Sequence, residues 1–339
     1  MEQSEEITPG DAGDIMTDEV MPVIYPPKYR KEQEKRINVW LKSITSLIIY
    51  LVLGFYIFKS FNMLLLITGI VVFHELGHFL AMKAFRYRDL GIFFIPLLGA
   101  YVSGTKREVS QRESAIILLA GPLPGMIIGL IIYYLHRQNP FLEFEGISFY
   151  TISVSLIFLN LINLLPVYPL DGGQLLNRVF LDENGWISRF FVILSIAVMI
   201  WFALYGLGNP IYPLLIFPAM MLLRLFGDNK LTAVEKKIET AGFDMDKSYD
   251  ELPDEDYWKI RNLLITEYAP LQDLPPAPPY EFSVKEEKIQ STIESLMHRK
   301  LIQDLSWIGK GFILLLWLSA LASPWLVGMD LTFFSRFGF

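Results

Sequence analysis

The chain has 339 residues, of which 53% are hydrophobic and 19% charged, and its formal net charge is −7. The charged fraction is below the roughly 25% of ordinary globular domains, and the apolar residues come in long blocks, which predicts an integral membrane protein. Because the chain has no cysteine, disulfides and thiolate metal sites are excluded. Nothing in the composition indicates a nucleic-acid partner.

The N-terminal segment, residues 1–36, is polar, acidic at first and then rich in proline and basic residues. It contains too few apolar residues to form a core, and we expect a disordered arm. A polar stretch of this length before the first apolar block is also unlike a cleavable signal peptide.

Residues 37–226 are predicted to form a membrane core, and residues 307–339 a final transmembrane helix with a short tail. Each apolar block is long enough to cross a bilayer of about 30 Å. The predicted fold class is therefore an all-α polytopic membrane protein with about six to seven transmembrane helices. The predicted spans are 37–58, 61–85, 114–135, 147–170, two helices within 190–223, and 307–327.

Two segments depart from this pattern of spans. The run Leu90–Val102 is aromatic and β-branched and is broken by Pro96 and Gly99, which predicts a membrane-associated β-hairpin. Residues 227–306 are charged and contain amphipathic stretches, which predicts a small, mostly helical segment outside the membrane. The absence of strand alternation in that segment argues against a PDZ-type β-module.

The positive residues predict the orientation of the chain. They concentrate on one side if the spans alternate, and the positive-inside rule assigns that side to the cytoplasm. The N-terminus, the hairpin and the 227–306 segment are thus predicted to be cytoplasmic, and a bacterial cytoplasmic membrane is preferred to an organelle. The clusters are 28–36, 83–88, 106–112 and 224–230.

The second span carries the motif His74-Glu75-Leu76-Gly77-His78. Ionisable groups inside a bilayer cost roughly 2.5–3.5 kcal/mol each on insertion scales, so their presence argues for a function. On a helix His74 and His78 lie one turn apart on one face, about 6 Å along the axis, and both can reach one Zn²⁺. Glu75 lies beside such a metal, where it can act as a general base.

The fourth span ends in a second motif, Asn163-Leu-Leu-Pro-Val-Tyr-Pro-Leu-Asp171-Gly-Gly. On the predicted topology it lies at the same depth as the first motif. Asp171 is the best candidate for a third zinc ligand, because it follows a helix end and precedes two glycines. Asn160 and Asn163 lie on one helix face before the break and could hydrogen-bond a substrate backbone or an oxyanion.

Together the two motifs resemble those of the site-2 protease family of intramembrane zinc metalloproteases, over roughly residues 60–180. The resemblance implies that His74, His78 and Asp171 bind Zn²⁺, that Glu75 is the general base, and that Asn163 contacts the substrate. One departure occurs at Gly125, where relatives often carry an asparagine.

The resemblance implies an endopeptidase that cleaves transmembrane helices of membrane-bound substrates, in regulated intramembrane proteolysis. Expected partners are transmembrane substrate proteins and the lipid bilayer, with the oligomeric state undetermined. Three alternatives remain open. The first is a non-enzymatic metal transporter or sensor, the second is a membrane zinc protease that acts on extramembrane chains, and the third is a structural polar network or retired metal site.

Overall fold

The computed structural model describes residues 25–30, 39–57, 60–95, 99–106, 109–181, 186–206, 210, 212–244, 249–297 and 301–329. Within these residues the chain is mostly helical, as predicted. The helices of the apolar part are α1 (Val39–Ile57), α2 (Phe61–Ala84), α3 (Gln111–Ala120), α4 (Pro122–Gln138), α5 (Phe149–Asn163), α6 (Asp171–Leu175), α7 (Trp186–Trp201) and α8 (Ile216–Thr240), followed near the C-terminus by the last helix, Trp307–Leu326.

Four helical stretches of the described chain are long and apolar enough to cross a membrane, and the protein is an integral membrane protein on this basis. They are Phe61–Ala84, Gln111–Gln138, Trp186–Gly206 and Trp307–Leu326. Two further apolar helices, Trp40–Tyr56 and Phe149–Asn163, are shorter. The count of six to seven spans stays a prediction, and residues 207–209 of the predicted turn lie outside the described residues.

The predicted fourth span, 147–170, is shorter in the structure, because α5 ends at Asn163. Pro166 and Pro169 lack backbone N–H groups and cannot continue the helix. The chain then runs through an irregular segment, residues 164–170, which we call the break, before α6 begins at Asp171.

In the described part of the chain the strands are short and pair in three separate sheets. Strands β1 (Arg88–Ile95) and β2 (Gly99–Thr105) pair antiparallel, with Phe93 opposite Tyr101. This pair covers the segment where a hairpin is predicted, and Phe94 N donates to Ser46 Oγ of α1 at 3.1 Å. The remaining strands are β3 (Val109–Ser110), β4 (Glu143–Phe144), β5 (Ile147–Ser148) and β6 (Leu301–Ile302), where β4 pairs with β5 and β3 runs parallel to β6.

Residues 249–297 are called the polar unit below. Their hydrophobic core is separate from that of the membrane helices and includes Val234 and Ile238 of α8. The polar unit contains α9 (Asp254–Glu267) and α10 (Glu286–Leu296), which pack through Trp258, Ile289 and other buried side chains. The last helix of the chain is α11 (Trp307–Leu326).

Part of the predicted disordered arm is ordered against the polar unit, namely residues 25–30. Trp258 Nε1 donates to the Pro26 carbonyl oxygen at 2.8 Å, and the Lys28 ammonium donates to the carbonyls of Asp250 and Leu252. Burial lowers the pKa of Lys28. Aromatic residues of this short stretch supply the apolar contacts that composition alone did not reveal. The rest of 1–36 lies outside the described residues.

Candidate metal centre

The two histidines of the first motif face the same side of α2. His74 and His78 are both buried, and their ring centroids are 4.7 Å apart. The spacing of four residues places them one turn apart, as the sequence predicts. Their Nε2 atoms are 3.0 Å apart.

Asp171 reaches the same point from the start of α6. Its Oδ2 atom is 3.1 Å from His74 Nε2 and 3.2 Å from His78 Nε2. Ligands at about 2.0–2.1 Å from a tetrahedral Zn²⁺ lie roughly 3.3 Å apart, so these separations are close to those of one shared ion. Two imidazoles and a carboxylate also match the donor set of a catalytic zinc site.

The outer ring nitrogens of both histidines are occupied by hydrogen-bond acceptors. His78 Nδ1 lies 2.7 Å from the carbonyl oxygen of Ile117, which can only accept. His74 Nδ1 lies 2.8 Å from Oδ1 of Asn160. Each Nδ1 therefore carries the proton, and in the neutral rings each Nε2 is an acceptor.

Three acceptors thus converge within about one hydrogen-bond distance of one another. His74 Nε2, His78 Nε2 and Asp171 Oδ2 have no donor among themselves when the rings are neutral. Such an arrangement is repulsive unless a proton or a metal ion lies between the three atoms. The residues therefore fit a metal ion, and a transition metal with nitrogen and oxygen ligands fits best.

Glu75 is the next residue along α2 and is also buried, at 7% exposure. It lies outside the group of converging donor atoms, but close enough to His74, His78 and Asp171 to interact with them electrostatically. This is the position expected of a base beside a metal rather than a ligand on it.

The break is held by side chains from other helices. Trp317 Nε1 of α11 donates to the Leu164 carbonyl oxygen at 2.8 Å, and Tyr168 N donates to Ser195 Oγ of α7 at 3.1 Å. Irregular backbone at membrane depth is tolerated only where protein or water satisfies it. These contacts keep Asp171 facing the two histidines.

Glycines permit the close packing of backbone around the site. A Cβ atom on Gly77 would lie 2.0 Å from the Ala120 carbonyl oxygen, and one on Gly121 would lie 2.3 Å from His78 Nε2. Gly77 thus allows α2 to approach the end of α3 closely, and Gly121 leaves room for the His78 imidazole.

The two predicted substrate residues lie in different environments. Asn160 is 1% exposed, and its amide is bonded at both ends, to His74 and to the Leu156 carbonyl oxygen at 2.7 Å. Asn163 is half-buried, and its Nδ2 donates to the Leu159 carbonyl at 3.2 Å. Burial of Asn160, rather than its two bonds, is what keeps a substrate backbone away from its amide.

Sequence reasoning did not find Trp317, Ser195 or the Ile117 carbonyl. Trp317 is 153 residues from the carbonyl it binds, and a backbone carbonyl such as that of Ile117 leaves no signal in side-chain identity. A tryptophan in the middle of an apolar span is the one weak signal, because its N–H requires a partner when it is buried.

Comparison with known proteins shows which family the first motif and its surroundings resemble. Residues 62–146 match the sequence profile of Peptidase family M50, and this stretch includes the His74–His78 motif. The resemblance to site-2 proteases, a family of membrane metalloproteases, is thereby confirmed.

Individual relatives match about a third of the chain. Stage IV sporulation protein FB of Bacillus subtilis is 31% identical over 119 residues, which are 34% of this chain and 40% of that protein. A zinc metalloprotease of Methanocaldococcus jannaschii is 28% identical over 119 residues, 35% of this chain and 34% of that protein. The chain thus spans well under half the length of either relative.

Among solved structures, the site-2 protease from Methanocaldococcus jannaschii covers 53% of this chain and 84% of its own. The sequence identity is 22% and the TM-score is 0.38.

Proposed function

We propose that this protein is an intramembrane zinc metalloendopeptidase that cleaves transmembrane helices of membrane-bound substrates. The observation that carries the proposal is the convergence of three acceptor atoms, from His74, His78 and Asp171, within a set of apolar helices. The match of residues 62–146 to a peptidase family supports the same conclusion.

In this proposal His74, His78 and Asp171 would hold Zn²⁺ beside the scissile bond. Bound zinc polarises the scissile carbonyl and makes water more acidic. Glu75 takes a proton from the attacking water and delivers it to the leaving amide nitrogen as the C–N bond breaks. Glu75 is buried beside the proposed ligands His74, His78 and Asp171, which is consistent with this role.

Substrate contacts are assigned to Asn163 and to the hairpin. One N–H of Asn163 donates to its own helix, and an amide carries a second N–H and a carbonyl oxygen that can bind an unwound substrate backbone. Strand β1 packs against α1 and pairs with β2, and we assign the other edge of β2 to a substrate segment that adds as a strand. The alternative role of the hairpin is to plug the site.

The substrate helix must unwind locally before its carbonyl reaches the metal, so helix-destabilising residues near the cut are expected. The proposed substrates are membrane-tethered regulators or signal-peptide remnants first trimmed by another protease. We propose that the N-terminus and the polar unit are cytoplasmic, because the positive residues flank that side of the spans. A bacterial cytoplasmic membrane is the proposed location.

The test compares wild type with Glu75→Gln in detergent, using a tagged single-span helix as substrate and measuring bound zinc in both proteins. Gln removes the base but leaves the three ligands. We expect zinc in both proteins and cleavage by wild type alone, with activity of the variant reduced by at least the roughly 10²–10⁴-fold typical of a lost general base.

Two other outcomes would contradict the proposal. Zinc in both proteins with no cleavage of several helix-breaking substrates would favour a metal transporter or sensor, which metal flux into liposomes would then reveal. No zinc in either protein would refute the ligand assignment.

A further inference from the structure

The Asn160 amide has only one possible orientation. Its neighbour on one side is the Leu156 carbonyl oxygen, 2.7 Å from Nδ2, and a carbonyl can only accept. The NH₂ end must therefore face Leu156, and the Oδ1 end must face His74 Nδ1 at 2.8 Å. The His74 ring is thereby required to carry its proton on Nδ1.

This orientation determines which nitrogen of His74 can bind a metal. With the proton on Nδ1, the lone pair of Nε2 faces His78 and Asp171. The opposite tautomer would place an N–H between the other two donor atoms and would block the site. Partners of this kind on the far side of a ligating imidazole commonly set its tautomer and ring orientation.

The space for the amide comes from Gly125 on the neighbouring helix α4. A Cβ atom on Gly125 would lie 2.2 Å from Asn160 Nδ2 and 2.8 Å from Asn160 Cγ. No real side chain tolerates such distances, and the amide is at the end of a short, buried side chain that has nowhere to move. Any larger residue at 125 must displace the amide from His74.

We propose that Asn160 is a positioning residue for His74, rather than a substrate contact, and that residue 125 is glycine because it must leave room for the Asn160 amide. The inference rests on the proposed function only in taking His74 as a metal ligand. It also accounts for the departure at Gly125, because the space beside α5 is filled by the amide of Asn160.

The first experiment measures zinc affinity by competition with a chelator. Asn160→Ala removes the acceptor, and we expect zinc affinity to fall by roughly 10–100-fold, the usual effect of losing such a partner. Asn160→Asp keeps an acceptor for His74 Nδ1, and we expect an affinity much closer to that of wild type. The matched control is Ser153→Ala, which removes a buried hydrogen bond between the same two helices, from Ser153 Oγ to the Gly129 carbonyl, and should not change the affinity.

The second experiment observes the tautomer directly in metal-free protein by ¹⁵N-histidine NMR, which is practicable because the chain has only four histidines. Wild type should show His74 with its proton on Nδ1, and Asn160→Ala should show a mixture of tautomers. A purely structural role for Asn160 would leave the tautomer of the folded variant unchanged.

The third experiment tests Gly125 by a double-mutant cycle. Gly125→Ala alone should weaken zinc binding about as much as Asn160→Ala. In the Asn160→Ala background the colliding amide is absent, so adding Gly125→Ala should lower zinc affinity little further. The two effects on zinc affinity should therefore be strongly non-additive.

The outcomes separate this inference from the proposed function. If wild type binds zinc and cleaves its substrate while Asn160→Ala keeps the wild-type affinity and tautomer, the positioning role is wrong and the protease assignment stands. If wild type binds no zinc, the protease assignment fails, and the tautomer in the metal-free protein still decides whether Asn160 orients His74.

Discussion

The protein buries two clusters of charged and polar side chains, and the clusters are built differently. In the polar unit, the Glu286 carboxylate accepts hydrogen bonds from Arg261 Nε at 2.7 Å, from the Tyr257 hydroxyl, and from the backbone and hydroxyl of Ser283 at 2.9 Å each. Every contact in that cluster joins a donor to an acceptor. The cluster is closed, with each group satisfied inside the protein.

In the membrane site the inner atoms of the cluster are all acceptors. His74 Nε2, His78 Nε2 and Asp171 Oδ2 approach one another to 3.0–3.2 Å, while the outer nitrogens of the rings are bonded to the protein. The outer nitrogens of this cluster are satisfied by the protein, and its inner atoms can only accept while the rings are neutral.

The difference separates a structural role from a binding role. A buried ion pair with all hydrogen bonds made is weak evidence for function, because such pairs also occur where nothing binds. Acceptors that converge on one point without a donor require something else between them. Whether buried polar residues have a structural role or a binding role is therefore best judged by whether their hydrogen bonds are complete.

The largest expected effect on stability comes from opening the closed cluster. Arg261→Met leaves the Glu286 carboxylate buried without its cation, and we expect the free energy of unfolding of the polar unit to fall by about 3–5 kcal/mol. Arg261 and Glu286 are each 1% exposed, so solvent cannot replace the lost partner. Proteolysis of the polar unit at increasing temperature measures the effect.

The control on the same helix is Lys259→Met, which breaks an exposed pair with Glu255 and should leave the unit near wild-type stability. Replacing both partners, Arg261→Met with Glu286→Leu, should recover much of the loss, since neither charge then remains buried. Equal effects of Arg261→Met and Lys259→Met would show that the buried cluster is not the structural element inferred from its hydrogen bonds.

Much of the metal centre could be predicted from sequence because its geometry is local. The spacing of His74 and His78 is one helical turn, and a Pro-rich break before Asp171 marks the point where a helix must end. The supporting contacts could not be predicted in this way. The Ile117 carbonyl is backbone, and Trp317 and Ser195 lie on helices whose packing depends on the tertiary fold.

The same distinction explains what sequence reasoning missed in the fold. The helices and the paired strands follow from apolar periodicity and from turn residues, which are properties of neighbouring positions. The docking of residues 25–30 on the polar unit depends on partners more than 200 residues away, such as Asp254, which accepts from Lys28 N.

An intermediate effect is expected where the membrane site depends on a distant side chain. Trp317→Phe keeps most of the apolar contact but removes the N–H that satisfies the buried Leu164 carbonyl, and we expect a loss of about 1–3 kcal/mol in the stability of the membrane core. Thermal unfolding in detergent, with and without zinc, measures it. Trp325→Phe on the same helix is the control, because Trp325 is 63% exposed. If Trp325→Phe lowers the stability of the membrane core by as much, the hydrogen bond to the Leu164 carbonyl is not the cause of the effect.

The smallest expected effect belongs to one hydrogen bond of the closed cluster, and its size depends on pH. Tyr257→Phe removes the hydroxyl that donates to Glu286 and should cost about 0.5–1.5 kcal/mol at neutral pH. Burial, and next the contact with Glu286, raise the pKa of Tyr257 in the folded unit. The unfolded chain therefore releases this proton first, near pH 10, and the contribution of Tyr257 is full below that pH and declines above it.

Phenylalanine has no proton to lose, so the stability difference between wild type and Tyr257→Phe should shrink as the pH rises above about 10. Burial also raises the pKa of Tyr249, and the Tyr257 hydroxyl lowers it, so both proteins are compared in a Tyr249→Phe background, where only residue 257 differs in titration. Denaturant unfolding of the polar unit between neutral and alkaline pH measures the difference. If the stability difference between the two proteins stays constant or widens above pH 10, the cluster does not hold the Tyr257 hydroxyl neutral. The groups of the cluster would then be less completely satisfied than their hydrogen bonds indicate.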